Sequence, residues 1–217
     1  MSEHIEADLT PAERRRHRVR QTIIEAAERV FAEEGEDGLS IRRLADEIDY
    51  SPGAIYKYFS SKQELVDELK EGFFGKILER MKDVPDDRGP FLEYAQSCVE
   101  TYIRTALERP HHYAAAFSGS AEASGSVTDH PDFSNTRRAF ERFHDVFVQG
   151  VKKGVFRSDL DTYLAAKSIW ASSHGLAQLM GHLPDMASGF FVGPSHDSNH
   201  LIRTHAELLI RGLTTNA

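Results

Sequence analysis

The sequence predicts an all-α protein, and two observations lead to that prediction. Apolar residues recur at helical spacing in nearly every segment, and no segment shows the sustained alternation of a strand. No internal repeat is found. The chain has 217 residues, enough for one large domain or two small ones. We expect a small N-terminal helical domain over residues 12–60 and a larger helical domain over residues 61–217.

The composition is that of an ordinary globular protein, with 40% hydrophobic and 28% charged residues. Cys98 is the only cysteine, so no disulfide can form within the chain, which suits a reducing cytoplasm. The N-terminus lacks the apolar stretch of a secretory signal, and no apolar run approaches the roughly 18 residues of a membrane span. We therefore expect a cytoplasmic protein. The net charge of −8 argues mildly against nucleic-acid binding, although a local patch can still bind phosphate.

The first predicted helix follows Pro11 and carries its apolar residues at helical spacing. It ends in the segment EEGEDG, where Gly35 is placed to take a left-handed conformation. The apolar positions that should face the core are Ile24, Ala27, Val30 and Phe31.

The next two predicted helices are short. Ser40 is a good N-cap for a helix of about eight residues, which breaks at Asp49 and Tyr50. The stretch SPGAIYKYF, residues 51–59, then predicts a helix of about seven residues, with Ser51 as its N-cap. Pro52 is tolerated in the first position, where the missing amide would have no partner. Helices this short are marginal in water, so tertiary packing must hold them.

Two short helices joined by a tight turn form a helix-turn-helix, whose second helix enters the major groove of DNA. Gly53 and Ala54 have almost no side chain and let the backbone come close to a partner, while Ile55 and Phe59 can face inward. Tyr and Lys side chains donate to phosphate oxygens, and a helix N-terminus favours an anion. The pattern therefore indicates DNA binding.

The remaining predicted helices are longer. In SSKQEL, Ser61 is followed three residues later by Glu64, the pattern of a capping box, and the helix then runs to Met81. Further helices are expected at 90–108, 110–118, 132–153, 159–182 and 198–213, with polar loops at 118–131 and 187–198.

The segment GLSIRRLADEIDYSPGAIYKYFSSKQEL, residues 38–65, strongly resembles the DNA-binding domain of the tetracycline-repressor (TetR) family of transcriptional regulators. The resemblance begins in the preceding helix, at AAERVFAEEG. One position departs from the family, which usually has glycine in the turn where this chain has Asp49. Aspartate tolerates the left-handed conformation better than most residues, so we expect the turn to be kept with slight strain.

The resemblance implies a role for each residue of the motif. Arg42 matches a position that can reach bases, Arg43 could contact the DNA backbone, and Lys57 is the candidate for a guanine contact. Tyr56 and Tyr58 have a second interpretation, as partly buried core residues. The residues expected to face the floor of the groove are Pro52, Gly53, Ala54 and Lys57. The residues expected to hold phosphates are Ser51, Tyr56, Tyr58 and Lys62.

The basic segment RRRHRVR, residues 14–20, has two interpretations. It can be a solvated face at the start of the first helix, or an N-terminal arm that contacts DNA phosphates or enters the minor groove. Its concentrated positive charge, in a chain of net charge −8, favours the arm.

The second half resembles the family more weakly. IWASSHGLAQL, residues 169–179, and RPHHYAAAF, residues 109–117, resemble the WHG-type subgroup of its C-terminal domains. The family usually dimerises through the last two long helices of this domain and encloses an effector pocket within it. Small residues in the 159–182 helix permit close approach and suit a dimeric four-helix bundle, although a core helix pair within one chain is the alternative.

The resemblance places an effector pocket between the fourth helix and the helices at 132–182. Its aromatic character predicts a mainly apolar or aromatic small molecule, with His174 as either a polar contact or a core histidine. Taken singly, each of these residues fits plain core better than ligand contact. The candidate pocket residues are Phe73, Tyr102, Tyr113, Phe117, Phe143, Phe147, Trp170 and His174.

The leading hypothesis is a ligand-responsive homodimeric regulator, a repressor that a small effector releases from a pseudo-palindromic operator, with activation as the alternative mode. Two heads would contact half-sites about 34–36 Å apart. A helical binding or interaction protein without operator binding remains the alternative, and an enzyme is not expected. A hydrolase built on Ser172, Ser173 and His174 is disfavoured, because adjacent helical residues do not face each other and no nucleophile elbow is present.

Eleven histidines raise the question of a metal site. His196 and His200 have the i,i+4 spacing that allows two ligands on one helix face, and His205 follows. No cysteine accompanies them, so a solvated face is preferred. A second set, His144 and His174 with Asp145, would need tertiary proximity. We expect neither a metal nor a cofactor.

Overall fold

The structure is a computed structural model that describes residues 10–81, 88–117, 134–182 and 197–214. Across these ranges every element is a helix, apart from an isolated β-bridge between Phe156 and Thr214. The all-α prediction is therefore confirmed. In chain order the helices are α1 (Pro11–Gly38), α2 (Ile41–Glu47), α3 (Pro52–Ile55), α4 (Lys62–Arg80), α5 (Arg88–Glu108), α6 (Pro110–Phe117), α7 (Ser134–Lys152), α8 (Thr162–His182) and α9 (Ser198–Arg211).

The longer helices lie close to where the sequence predicts them. The predicted loop at 118–131 lies outside the described residues, as does the predicted loop at 187–198 up to residue 196. None of the helices in the described ranges combines the length and the hydropathy needed to cross a bilayer.

Helix α1 begins with a capping box that the sequence analysis did not anticipate. The Glu13 amide donates to Thr10 Oγ1 at 3.3 Å, and the Thr10 amide donates to the Glu13 carboxylate at 2.7 Å. At the other end Gly35 has φ 72° and ψ −167°, so its positive φ agrees with the prediction. The helix does not end there, however, since a further helical segment continues beyond the kink to Gly38.

The described residues form two compact units. The first comprises residues 10–71 and 111–117, and the second comprises 72–81, 88–110, 134–182 and 197–214. Helix α4 therefore contributes residues to both. The boundary expected after residue 60 remains a prediction.

The first unit is held by one apolar cluster built from α1 to α4 and from α6. Burying such side chains stabilises by roughly 1.5–3 kcal/mol each, which is how helices as short as α2 and α3 persist. Helix α6 adds Ala115 to this cluster and, through His112, a 2.7 Å contact with the Glu28 carboxylate of α1. The largest fully buried side chains of the cluster are Ile23, Leu39, Leu44, Ile55, Phe59, Leu65 and Leu69.

In the second unit α8 and α9 each pack against α5, and α7 packs against α8. Phe156 follows α7 and is buried, with ring centroids 5.9 Å from Phe91 and 6.2 Å from Phe147. Gly150 lies under this ring. A Cβ at that position would come within 2.1 Å of the Phe156 ring, so glycine permits the packing.

Candidate functional site

Helix α2 and the turn after it are fixed by short-range hydrogen bonds. Ser40 Oγ accepts from the Arg43 amide at 3.1 Å, which confirms Ser40 as the N-cap. After α2 the Tyr50 amide donates to the carbonyl of Ala45 at 2.9 Å. Asp49 has φ 55°, so the residue that stands where the family usually has glycine adopts the left-handed conformation, as predicted.

The left-handed conformation of Asp49 should carry a measurable strain. We expect Asp49→Gly to be more stable than Asp49→Ala by about 1 kcal/mol, because alanine has no local hydrogen bond to offset the clash of its Cβ. Urea unfolding of both variants measures this difference. An Asp49→Ala variant as stable as Asp49→Gly would show that the turn carries no such strain.

Helix α3 is shorter than predicted. It spans Pro52–Ile55, with Ser51 Oγ accepting from the Ala54 amide at 3.2 Å, so the N-cap and the position of Pro52 are confirmed. The predicted length of about seven residues is wrong. Beyond Ile55 the chain continues in turns with i→i+3 bonds, such as Tyr58 N to Ile55 O at 2.9 Å. Burial of Ile55 and Phe59, both 0% exposed, holds this segment in place.

The start of α3 presents a polar and small-residue surface to solvent. Tyr56 is 56% exposed, and Arg42, Ser51, Pro52, Gly53 and Lys57 are exposed as well, while Ala54 is half-buried. A Cβ built on Gly53 would meet no atom within 4 Å. Nothing inside the protein therefore requires glycine there, whereas close approach of an external backbone would. Tyr50, just before the cap, is 40% exposed and belongs to the same surface. The sequence analysis did not include it among the candidate DNA contacts, although an aromatic residue beside an N-cap was a signal for it.

Two of the predicted DNA contacts, Arg43 and Lys62, have hydrogen-bond partners within the protein. Arg43 donates to the Glu34 and Glu47 carboxylates, each at 2.8 Å, and Lys62 Nζ donates to the carbonyl of Glu36 at 2.5 Å. Glu47 first and then Glu34 raise the pKa of the Arg43 guanidinium above its ordinary value. These contacts connect α2 and α4 to the end of α1.

Tyr58 also has contacts within the protein. It is half-buried and packs against the apolar cluster, with the Arg16 guanidinium 5.7 Å from its ring centroid. This environment agrees with the core interpretation of Tyr58. Contact of Arg43, Tyr58 or Lys62 with phosphate remains a prediction.

The basic segment 14–20 lies within α1 and is not an extended arm. Its arginines before Val19 are exposed, which corresponds to the solvated-face interpretation. Arg20 is part of the fold instead. It donates to both carboxylate oxygens of Glu68, at 2.9 and 2.6 Å, and lies 4.7 Å from the ring centroid of Phe59.

The aromatic residues predicted for an effector pocket fall into separate groups. In the second unit Phe73 contacts Tyr102 edge-on, Tyr102 Oη lies 3.0 Å from His174 Nδ1, and the His174 ring lies 5.6 Å from Trp170. Elsewhere in the same unit Phe143 and Phe147 pack with ring centroids 5.1 Å apart.

The last pair of predicted pocket residues belongs to the first unit. Tyr113 and Phe117 have ring centroids 5.1 Å apart. Phe73, Tyr102, Tyr113 and Phe147 are buried, whereas Phe117, Phe143, Trp170 and His174 are half-buried.

Burial lowers the pKa of His174, and burial likewise lowers the pKa of His205 on α9. Each histidine is therefore more easily protonated in the unfolded chain, where its pKa is about 6.5. The contribution of the two neutral histidines to the free energy of unfolding is therefore fully present above about pH 6.5, and it is lost as the pH falls below that value. We expect His174→Asn, measured by urea unfolding from pH 7.5 to 5.0, to lose less stability over this range than the native chain. Identical pH slopes would contradict a lowered pKa of His174 in the folded protein.

The set of His144, His174 and Asp145 is not assembled as a metal site among the described residues. His196 lies outside the described residues, while His144 contacts Thr162 Oγ1 at 3.1 Å and His174 contacts Tyr102. No group of three or more His, Cys, Asp or Glu side chains in the described ranges is arranged to hold a metal ion.

Comparison with known proteins matches both parts of the chain. Residues 23–69 match the family described as bacterial regulatory proteins, tetR family, and residues 95–197 match the tetracyclin repressor-like C-terminal domain. The HTH-type transcriptional repressor KstR2 of Mycobacterium tuberculosis is 32% identical over 154 residues, 69% of this chain and 75% of the relative. The repressor AcnR of Corynebacterium glutamicum is 28% identical over 179 residues, 74% of this chain and 88% of the relative.

Solved structures share the fold. The ketosteroid transcriptional regulator KstR2 of Mycobacterium tuberculosis superposes with a TM-score of 0.63 at 23% identity, over 91% of this chain and 95% of the other. The TetR-family regulator PfmR of Thermus thermophilus superposes with a TM-score of 0.65 at 21% identity, over 87% of this chain and 97% of the other.

The helix-turn-helix and these matches define a DNA-binding transcriptional regulator. The chain belongs to the TetR family of bacterial regulatory proteins. Its curated relatives KstR2 and AcnR are named as transcriptional repressors and not as enzymes.

Proposed function

We propose that the protein is a ligand-responsive homodimeric repressor, which binds a pseudo-palindromic operator through α2 and α3 and leaves it when a small, mainly apolar effector binds the second unit. The observation that carries the proposal is the exposed start of α3, where Gly53 is open to solvent beside Tyr56 and Lys57. Small residues at the helix start and donors around them are what contact with phosphates and base edges requires.

Fluorescence anisotropy across a salt series tests DNA binding, with DNA from immediately upstream of the protein's own gene. Displacement of condensed counterions makes specific binding weaken steeply with salt. Sequence-specific, salt-dependent binding supports the repressor and provides an assay for effectors. Weak binding that is indifferent to sequence, on this DNA and on a genomic library, would instead favour a helical binding protein without an operator.

Dimerisation through the last two helices is supported by apolar side chains that they leave exposed. Leu164 and Leu179 of α8 are 63% and 49% exposed, and Leu208 of α9 is 69% exposed. Between the two leucines of α8, Ser168, Ala171 and Gly175 follow at helical spacing, and a Cβ on Gly175 would meet no atom within 4 Å. This surface of small residues between leucines permits close approach of a second copy.

A charge in this surface should separate the two copies. We expect Leu179→Asp combined with Leu208→Asp to shift the protein from dimer to monomer in sedimentation velocity, because two buried carboxylates would lack partners. Operator affinity should fall with it, since only a dimer contacts both half-sites at once. Lys152→Asp, exposed at the end of α7, is the matched control and should stay dimeric. A double variant that remains dimeric would place the interface elsewhere.

The effector is proposed to act through a difference in its affinity for two states of the protein, one that fits the operator and one that does not. A ketosteroid connection in the name of KstR2, together with the aromatic side chains of the second unit, supports an apolar ligand for this chain too. Membership of the WHG-type subgroup remains a prediction.

A further inference from the structure

The start of α1 carries a concentration of positive charge. Arg14, Arg15, Arg16, His17 and Arg18 are all exposed. Cations near a helix N-terminus oppose the helix dipole, and like charges three or four residues apart repel each other, so this charge weakens α1 and does not stabilise it. In a chain of net charge −8, an arrangement that costs stability indicates an anionic partner outside the protein.

Two arginines of α1 face the helix-turn-helix side by side. Arg16 and Arg20 are four residues apart and therefore lie on one face of the helix. The Arg20 guanidinium lies 4.7 Å from the ring centroid of Phe59, and the Arg16 guanidinium lies 5.7 Å from the ring centroid of Tyr58. Because the exposed Lys57 directly precedes Tyr58, Arg16 lies beside the surface that we propose to contact DNA.

The two arginines differ in their anionic partners. The Glu68 carboxylate accepts from both terminal nitrogens of Arg20, at 2.9 and 2.6 Å, so the charge of Arg20 is balanced inside the protein. Among the described residues no hydrogen bond or ion pair joins the Arg16 side chain to a carboxylate. Glu13, one turn earlier, accepts instead from the Thr10 amide and hydroxyl, each at 2.7 Å.

Contact with a ring prepares the Arg16 guanidinium to bind a phosphate. The attraction between a cation and a ring acts through the face of the ring, whereas the N–H donors of a guanidinium lie in its own plane, where two of them can bind phosphate oxygens together. The ring also restricts the conformations of a long side chain, so less entropy is lost when the phosphate binds.

We propose that Arg16, held on the ring of Tyr58, binds a DNA phosphate next to the bases that α3 contacts. The phosphate would take the place beside Arg16 that the Glu68 carboxylate has beside Arg20. This contact differs from the extended arm considered from the sequence, because a helical residue makes it. The inference rests on the proposed function, since it adds a residue of α1 to the same DNA interface.

Arg18 provides a matched control for Arg16. It is exposed and carries the same charge, but it lies two residues further along α1 and hence about 200° round the helix. Fluorescence anisotropy of the full-length protein, from about 50 to 200 mM salt, measures affinity and its salt dependence. The two probes are a duplex from immediately upstream of the protein's own gene and a random-sequence duplex of the same length.

We expect Arg16→Gln to weaken binding to both duplexes about tenfold, because phosphate contacts do not depend on sequence. The slope of log K against log salt concentration should also become shallower, by about 0.9 for each protomer. Arg18→Gln should stay within about twofold of the native chain, since its side chain points away from Tyr58.

Variants of Tyr58 test the role of its ring. Tyr58→Phe keeps the ring, so Arg16→Gln should still weaken binding about tenfold in that background. Tyr58→Leu removes the ring, and adding Arg16→Gln should then change the affinity by less than about threefold. Thermal unfolding of each variant establishes that it is folded, so that lost binding reports on the contact.

Equal effects of Arg16→Gln and Arg18→Gln, whether large or absent, would overturn the contact, and native preference for the upstream duplex would then leave the repressor standing. An Arg16 effect of the same size with and without the Tyr58 ring would likewise contradict the proposal. A loss confined to Arg16→Gln, with equal native affinity for the two duplexes, would support the contact and count against operator recognition. Native protein that binds neither duplex would overturn both.

Discussion

Replacing Tyr56 and Lys57 together by alanine is expected to reduce specific operator binding by roughly a hundredfold or more. A good base contact contributes about 1–3 kcal/mol of discrimination and a charge-assisted phosphate contact a similar amount, and about 1.4 kcal/mol is tenfold in affinity. Because both side chains are exposed, the unfolding midpoint should not change. Fluorescence anisotropy at physiological salt measures the effect.

The single variants separate the base contact expected of Lys57 from the phosphate contact expected of Tyr56. Lys57→Ala should relax sequence preference at one position of each half-site, whereas Tyr56→Ala should weaken binding to all operator variants by a similar factor. Lys152→Ala removes an exposed lysine from α7 and should bind the operator like the native chain. Unchanged operator affinity of the double variant would exclude the start of α3 from the DNA interface.

Replacing Phe59 by alanine is expected to cost about 3–5 kcal/mol of folding free energy, the usual range for a fully buried phenylalanine. Its ring is 0% exposed, belongs to the apolar cluster of the first unit, and lies 4.7 Å from the Arg20 guanidinium. Urea unfolding followed by circular dichroism measures the loss. DNA binding should fail at temperatures where the first unit unfolds and return on cooling.

Phe59→Leu is the control, because it keeps an apolar side chain and should cost far less. Phe59→Ala and the double variant at Tyr56 and Lys57 test different things. Phe59→Ala should destabilise the fold of the motif, whereas the double variant should remove only its contacts with DNA. A Phe59→Ala variant that loses less than about 1 kcal/mol would contradict the burial of this ring.

The local signals in the sequence predicted the motif well. Ser40 and Ser51 cap their helices as expected, and Asp49 adopts the expected left-handed turn. These features depend on hydrogen bonds between residues a few positions apart, which the sequence shows directly. The capping box predicted at the start of α4 is only half formed. The Ser61 hydroxyl accepts from the Glu64 amide, but the Glu64 carboxylate accepts from Ser60 and not from Ser61.

Tertiary contacts could not be predicted in the same way. Glu34, one partner of Arg43, and Glu36, the partner of Lys62, lie at the C-terminal end of α1, so both residues were interpreted from the sequence as exposed donors for DNA. The length of α3 was overestimated for a similar reason. Burial of Ile55 and Phe59 holds the segment after α3, where i→i+3 bonds are mixed with the i→i+4 bond from the Phe59 amide to the Ile55 carbonyl.

The pocket of about 440 Å³ between the end of α4 and α7 was not predicted, for the same physical reason. Leu78 and Arg142 come together only in the folded second unit, and the apolar and charged residues around the cavity form no pattern along the chain. The aromatic residues chosen instead are rich in contacts with one another, which is what buried core residues also show.

The participation of α6 in the first unit has a consequence for synthesis of the protein. Ala115 and His112 complete the apolar cluster and the contact to Glu28, yet roughly 40 residues separate Glu71 from the start of this segment, about 2–8 seconds of translation. During that interval the part of the apolar surface of α1 to α4 that α6 covers in the folded protein remains uncovered. We therefore expect the first unit to reach its full stability only after α6 has been synthesised.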